Sequence, residues 1–599
     1  VVMQKTKSLV VISVCLIAAV VVFLVYFGKE ILHGSNITWL MAGGDWTTNY
    51  LGWAFFRNEP WSFPPGIIRN YFAPMGTSIS LTDSLPLLGF LFKPFSPFLP
   101  SDFQYFGMWI LLCYVLQGTF GLFLIKTVTP NHFLQFLGSM FFLLSPVLLH
   151  RMHFALMGQW LILASLWLYF VDDKVFPNSK KLAGWFLIIL LSTLVQPYLS
   201  AMVFMLFLGF ITKRKFIDNR ISFLWFITLV PGVLAVATLG LLLSGAITSI
   251  DSKDYGVWYQ YHSMNLNSLI NPHGTSYFMK SLPLYKDILP NRASGQGEGF
   301  CYLGFGMLLL TYYAGGCLLS KTTLLGRLKN HTPLLIVLLI FAGYSLSNTI
   351  TLGDHYIISY EIPSFLKIFT NSFRTSGRFI WPVYYLAIYF VIAVVIMTQS
   401  TKTAAIMLLS ALLIQAVDVY PLRMFRPKSL HLRKDAEHTV LRSPLWKEYF
   451  ERFDRIVMCP PFRRNYNNTD DFRHFAYLAA HYAKPITVGY VARTNHDLVA
   501  KNKRLLEDEL RSDNIDKDTL YIMSKKYFEV TGYRELIVTE CQIENIDGYY
   551  ILFSKKNRFE LPDAKKPSTA ECTRNPTPKS TEPNGQMRFR ENGAAVKGD

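Results

Sequence analysis

The stretch Ser84-Leu85-Pro86-Leu87-Leu88-Gly89-Phe90-Leu91-Phe92-Lys93-Pro94-Phe95-Ser96-Pro97-Phe98 decides how the rest of the chain is threaded. It is apolar, yet it holds Lys93 and is broken by Pro86, Pro94 and Pro97. A helix needs about 20 apolar residues to cross roughly 30 Å of hydrocarbon, and proline inside a helix removes a hydrogen bond and clashes with the preceding turn. The stretch is therefore expected to be interfacial or re-entrant. Charge tests this. If 84–98 does not cross, the crossing runs are 9–27 and about 103–125, 133–149, 154–171, 182–195, 197–211, 222–243, 299–319, 333–347, 377–397 and 402–419. The loops on one side then carry Lys126, Lys174, Lys180, Lys181, Lys213-Arg214-Lys215, Arg220, Lys321, Arg327, Lys329 and Lys402. Basic loops gather on the cytoplasmic side. If 84–98 crossed, these loops would face outward instead.

Composition agrees with this threading. The chain has 599 residues, 51% hydrophobic and only 16% charged, against roughly a quarter charged in soluble domains. The expected fold class is mainly α, a polytopic helical membrane protein of about 11 spans with a C-terminal soluble α/β domain. The net charge of +18 sits in short clusters between apolar runs, in the C-terminal region and in the tail. The positive-inside bias accounts for the clusters between spans, so no nucleic-acid partner is expected. The bilayer is the expected surrounding.

Lys5 and Lys7 before the run 9–27 give the expectation of a retained signal-anchor helix with a cytoplasmic N-terminus. The membrane domain is expected over 1–420, with an outer loop at 28–102. Within that loop 46–57 has helical apolar spacing, suggesting a short helix on the membrane surface. Residues 421–555 are expected as an extracytoplasmic α/β domain on the periplasmic side of the inner membrane. Its expected strands are 455–459, 486–491, 520–523, 536–538 and 549–553, and its expected helices 470–481 and 497–510. Residues 556–599 are rich in Lys, Pro, Thr, Glu, Asn and Gly and are expected to be a disordered tail. Cys15, Cys113, Cys301 and Cys317 lie in or beside apolar runs and read as buried hydrophobes. Cys459 and Cys541 share the soluble region, which leaves a disulfide open.

Candidate functional residues cluster at the outer mouths of the spans. Asp45, in Gly43-Gly44-Asp45-Trp46, reads as an N-cap of the helix that follows, as a catalytic carboxylate, or as both. Asp83, in Thr82-Asp83-Ser84, favours a cap before Leu85. His150, Arg151 and His153 read either as an interfacial cluster with a snorkelling Arg or as a phosphate site, where Arg offers a fork and His a titratable donor. Gln159, Gln196 and Tyr198 are expected polar lining. Glu298, flanked by Gly297 and Gly299, reads as a span-boundary charge or as a carboxylate on backbone that bends tightly or admits a ligand. Arg374 and Arg378 stand on the outer side, where cations are disfavoured, and call for an anionic partner. The central parts of the spans lack ionisable residues, which argues against ion-driven transport.

An Asp in the first outer loop after a signal-anchor helix, followed by two surface helices, resembles the GT-C superfamily of polytopic glycosyltransferases. Several stretches resemble, more closely, a bacterial GT-C-like membrane family of unknown function. They are Gly44-Asp45, Thr82-Asp83-Ser84-Leu85-Pro86-Leu87-Leu88, Gln104-Tyr105-Phe106-Gly107, Leu144-Ser145-Pro146-Val147-Leu148, Gln159-Trp160-Leu161-Ile162-Leu163, Gly297-Glu298-Gly299 with Tyr302-Leu303-Gly304, and Phe373-Arg374-Thr375-Ser376-Gly377-Arg378-Phe379. The resemblance implies a polyprenyl-phosphate-linked sugar donor, a glycan or lipid acceptor on the outer face, and an inverting transfer with Asp45 as general base. Some relatives use a divalent metal on paired carboxylates of a later outer loop. No Asp-x-Asp or Glu-x-Asp stands there, so no cofactor is expected. Glu298 is the next candidate base. Asp83, His150, Arg151, His153, Gln159, Arg374 and Arg378 are the expected substrate-binding residues. The rival expectations are a carrier or flippase for lipid-linked saccharide, which needs no base, and an inactive membrane scaffold.

Overall fold

Apolar runs of span length become helices, as their lack of internal charge dictates. A computed structural model describes residues 2–247, 256–279, 294–320, 329–434, 439, 441–462, 471–511, 515–530 and 541–557. Among the described residues, seven helical stretches are long and apolar enough to cross a membrane: Ser8–Phe27, Phe106–Lys126, His132–His150, Asn178–Val195, Phe223–Leu243, Ser376–Thr398 and Thr401–Met424. The other four expected spans are also helical but do not meet that standard. Ala155–Phe170 and Phe305–Ser320 are shorter, Pro197–Phe216 ends in Lys213, Arg214 and Lys215, and Thr332–Leu346 has 15 residues. A rise of 1.5 Å per residue gives the last about 22 Å.

The deciding stretch holds no helix long enough to cross. It forms a seven-residue helix, Pro86–Phe92, about 10 Å long, and a 3₁₀ continuation, Lys93–Phe98. Lys93 folds inward: its Nζ lies 3.9 Å from the ring centre of Phe56 and 4.5 Å from that of Trp61. A two-stranded pairing, β1 (Ile67–Ile68) with β2 (Thr77–Ser78), tightens the same loop.

The first helix lies against Phe106–Lys126 because Gly118 leaves room. A Cβ there would stand 3.2 Å from Cys15 Sγ, the close approach that small residues permit between membrane helices. Phe27 and Tyr114 meet edge to face at 5.6 Å above it. The helix from His132 breaks at Leu144-Ser145, and Pro146 starts a new piece, Pro146–His150. This is where proline costs a helix least, and it re-aims His150 and Arg151. At the opposite ends of the helices, Asp173 binds Lys181 Nζ at 2.6 Å and Arg214 Nη1 at 2.8 Å.

The expected surface helix exists as Gly44–Asn58, but residues 47–56 are buried. The C-terminal domain covers it. Asn58 donates to Ala480 O at 2.9 Å and Tyr477 to Asp102 Oδ1 at 2.7 Å, so the helix Phe472–His481 packs where the membrane surface was expected.

A hairpin of β3 (Thr349–Leu352) and β4 (His355–Ser359) follows the helix Thr332–Leu346. Among its described residues the C-terminal domain holds a four-stranded sheet of β5 (Arg455–Cys459), β6 (Thr519–Ser524), β7 (Cys541–Ile546) and β8 (Tyr549–Ser554), ordered β5-β6-β8-β7. The pair β5–β6 is parallel and the others antiparallel. Val457, Leu506, Leu510, Tyr521, Met523 and Leu552 share its core. Three expected strands and both expected helices are present. The run 486–491 is not a strand: Ile486 makes single bridges, to Ile456 on one side and to Tyr71, which lies between Gly44–Asn58 and Pro86–Phe92, on the other. The expected strand at 536–538 and the tail from 558 onward lie outside the described residues.

Cys459 and Cys541 both lie in that core. They stand on β5 and β7, three strand spacings apart, or about 14 Å at 4.7–4.9 Å each. A disulfide needs Cα atoms within about 7 Å.

Candidate functional site

The end of the broken helix, the start of the helix after Gly377 and the start of Gly44–Asn58 border a cavity of about 680 Å³. Its wall includes Asp45, Trp46, His150, Arg151, His153, Glu298, Arg378 and Arg426.

Asp45 is not the N-cap. Gly43 holds that position with φ of 120°, in the region glycine adopts without a Cβ penalty, and Asp45 falls in the first turn of the helix. A carboxylate is favoured there by the exposed backbone N–H groups. Asp45 is exposed to the cavity, and among the described residues no hydrogen bond or ion pair engages its carboxylate. Its neighbour Trp46 is fixed: the indole donates to Met152 O at 2.7 Å and the ring stacks on Phe154 at 5.9 Å. The start of this helix is thereby tied to the His150–His153 turn.

Glu298 lies in the 3₁₀ turn Ser294–Gly299. Its Oε2 accepts from Arg151 Nη1 at 2.9 Å and from Arg378 Nε at 2.8 Å. Of the flanking glycines, Gly299 serves backbone approach: a Cβ on it would meet Met264 Cα at 2.5 Å, and one on Gly377 would meet Gly299 Cα at 2.6 Å, while a Cβ on Gly297 would meet nothing within 4 Å. Burial pushes the Glu298 carboxyl up, but Arg151 and Arg378 outweigh it and hold it well below the usual range. Arg151 also lies over the Trp381 ring at 5.2 Å and Arg378 over Tyr198 at 4.9 Å.

Asp83 does not cap the next helix. The residue at that position is Leu85, with φ of 57°, and the Asp83 carboxylate turns to His153 Nε2 at 3.3 Å and Gln196 Nε2 at 3.1 Å. Burial raises its pKa, yet His153, Arg378 and Gln196 together bring it below the ordinary value. Asp83 lies outside the cavity wall and braces His153, which lines it. Gln159 is buried away from the wall and accepts from the Tyr385 hydroxyl.

Arg374 is placed elsewhere too. Its Nη2 donates to Ala492 O at 3.3 Å, and Arg493 of the same C-terminal segment donates to Asn371 O and Ser372 O at 2.9 and 2.7 Å. Arg374 docks the C-terminal domain; Arg378, four residues on in the 3₁₀ turn Ser376–Ile380, faces the cavity. The physical cause is the close packing of Gly377 on Gly299, which holds Arg378 beside Glu298.

Arg426 went unnoticed in the sequence because it stands in a basic run after the last span. It is 8% exposed, lies 4.3 Å over the Phe27 ring and donates through Nη2 to Leu149 O. Among the described residues no three His, Cys, Asp or Glu side chains are gathered to hold a metal.

A model of the family described as "Domain of unknown function (DUF6311)" matches residues 15–420, and that of the "DUF6311 C-terminal domain" matches residues 445–554. The sequence matches no curated protein. In structure the chain is similar to the Archaeoglobus fulgidus oligosaccharyltransferase in complex with Zn and sulfate, at TM-score 0.39 and 10% identity over 91% of this chain and 73% of that one. It is similar also to the archaeal oligosaccharyltransferase AglB from the same organism in complex with an inhibitory peptide and a dolichol-phosphate, at TM-score 0.39 and 11% identity over 93% and 75%. Likeness at that level carries nothing about the reaction.

Proposed function

From the premise that the chain belongs to the DUF6311 family, we propose that it is a GT-C-type inverting membrane glycosyltransferase. It moves a sugar from a polyprenyl-phosphate-linked donor to a hydroxyl of an envelope or surface glycan on the outer face of the inner membrane. One observation carries the reading: an unengaged carboxylate, Asp45, lines the same cavity as Arg151, Arg378 and His150.

In this reading Asp45 accepts the proton of the acceptor hydroxyl. The acceptor oxygen attacks the anomeric carbon, the bond from that carbon to the donor phosphate oxygen breaks, and the phosphate leaves with the electron pair. General base catalysis of this kind contributes about 10²–10⁴-fold, and cations beside the leaving phosphate stabilise the charge that develops there. Glu298 is the poorer base, because two guanidiniums lower its proton affinity; it holds the arginines in position. The same occupation leaves Glu298 unsuited to a divalent metal, and the reading routes no step through one. A membrane setting suits a donor whose polyprenyl tail stays in the bilayer. The basic helix ends opposite the cavity support a cytoplasmic N-terminus and an outward-facing site.

The test is an assay of the purified protein in lipid nanodiscs with polyprenyl-phosphate sugars and a panel of glycan acceptors. Glycosylated acceptor of inverted configuration together with released polyprenyl phosphate is expected. Movement of the donor across the bilayer without turnover would instead identify a carrier and overturn the reading.

A further inference from the structure

The cations of the cavity are not equivalent. Arg151 and Arg378 share one carboxylate oxygen of Glu298, so much of their charge is already compensated. Arg426 makes no such pair among the described residues. Its Nε and Nη1 are buried and have no hydrogen-bond partner. The hydroxyls of Tyr114 and Tyr26 and the ring of His150 lie near it, and among the described residues no carboxylate pairs with it. Among the described residues its guanidinium is supported by one bond to Leu149 O and by the face of Phe27, and a cation–π contact offsets only part of the cost of burying a guanidinium. A buried cation left this way calls for an anion, and it lines the cavity together with His150 and Ser429.

We propose that Arg426 is the seat of a phosphate group in this cavity, with Nε and Nη1 as its donors. The phosphate is a monoester or diester carried by a lipid. The identification of that lipid as the sugar donor rests on the transferase reading; the anion seat rests on the surroundings of Arg426 alone. Placed there, the phosphate lies beside Leu149 and Leu422 at the apolar end of the wall, where a lipid chain leaves toward the helices. The Glu298–arginine cluster then faces the rest of the substrate. Arg426 comes from the segment after the last span and packs on the end of the first helix, so occupancy of the seat ties the two ends of the membrane domain together.

The full chain in zwitterionic nanodiscs tests this by thermal unfolding and direct binding with three probes: inorganic phosphate, a ten-carbon prenyl phosphate, and phosphatidylglycerol added to the disc. The prenyl phosphate is expected to raise Tm and bind saturably; binding of phosphatidylglycerol or of inorganic phosphate alone would assign the seat to a headgroup or to free phosphate. Arg426→Met is expected to weaken the bound probe about 10-fold to 100-fold, the equivalent of a lost charged hydrogen bond. It should also raise the Tm of the ligand-free protein, because an uncompensated buried charge is removed. A purely structural Arg426 gives the opposite pair of results: lower Tm in Arg426→Met and unchanged probe binding. That outcome, or no binding of any probe by the wild type, overturns the proposal. Arg426→Lys keeps the charge and guards against misfolding: it should retain part of the binding. Phosphate binding without sugar transfer would leave the seat standing and sink the transferase reading. Transfer with an unchanged KM for donor in Arg426→Met would do the reverse.

Discussion

Arg378 Nε lies 2.8 Å from Glu298 Oε2, and Arg151 reaches the same oxygen at 2.9 Å. A single carboxylate oxygen thus joins the broken helix, the 3₁₀ turn before Phe305–Ser320 and the start of the helix after Gly377. Glu298→Gln keeps the shape but leaves two guanidiniums facing each other. It is expected to destabilise the protein by roughly 1.5–3 kcal/mol, read by denaturation in detergent. Adding Arg378→Met should recover part of that loss, since the two sites are coupled.

The same carboxylate fixes a pH dependence. Its pKa is held well below the ordinary value in the folded state, so the unfolded chain binds the proton more readily. The resulting stability is fully present above the unfolded pKa of about 4.3 and is lost as pH falls through the folded value. Stability against pH between about 2 and 6 should fall more steeply toward acid in the wild type than in Glu298→Gln. Equal slopes would mean that the pair carries no linkage.

Asp45→Asn and Arg374→Ala separate the cavity from its surroundings. Asp45→Asn keeps the size and loses the base, so turnover should drop by about 10²-fold or more. Folding should change by less than about 0.5 kcal/mol, because the side chain is exposed. Arg374→Ala should leave KM for donor unchanged and instead increase proteolysis of the C-terminal domain, whose Ala492 carbonyl it holds. A rise in KM for donor in Arg374→Ala would place that arginine in the cavity after all.

Gly377→Ala is expected to cost about 1–3 kcal/mol through overpacking. The new Cβ would lie 2.6 Å from Gly299 Cα and 2.9 Å from His262 O, and neither backbone atom can swing away. Because the clash displaces the Glu298 turn, activity should fall along with Tm.

Lys93 carries the opposite linkage. Burial brings its pKa down to about 8 against the partial support of Glu59. The unfolded chain, with a lysine pKa of about 10.4, then binds more protons between those values, so stability rises with pH across that window. Lys93→Met should flatten that rise. A wild type and variant that run parallel from pH 8 to 10.5 would show that Lys93 is not the group responsible.

The sequence by itself determined where the helices lie, that 84–98 would form no span-length helix, and that carboxylates and arginines would collect at helix mouths. It could do so because span length, apolar runs and prolines act within one segment, where the physics is local. Asp45, Glu298, Arg151 and Arg378 were legible as candidates for that reason. What each of them touches was decided by the tertiary structure. Glu298 meets Arg151 across 147 residues of chain, and Arg426 meets Leu149 across 277. Arg374 and Arg378 read alike in one motif, and only the close packing of Gly377 on Gly299 separated their roles. The helix 44–58 looked like a surface helix until Phe472–His481 covered it. A charge at a helix end is a local fact; whether it finds a partner depends on side chains brought from distant segments, and that pairing decides which group is left to act.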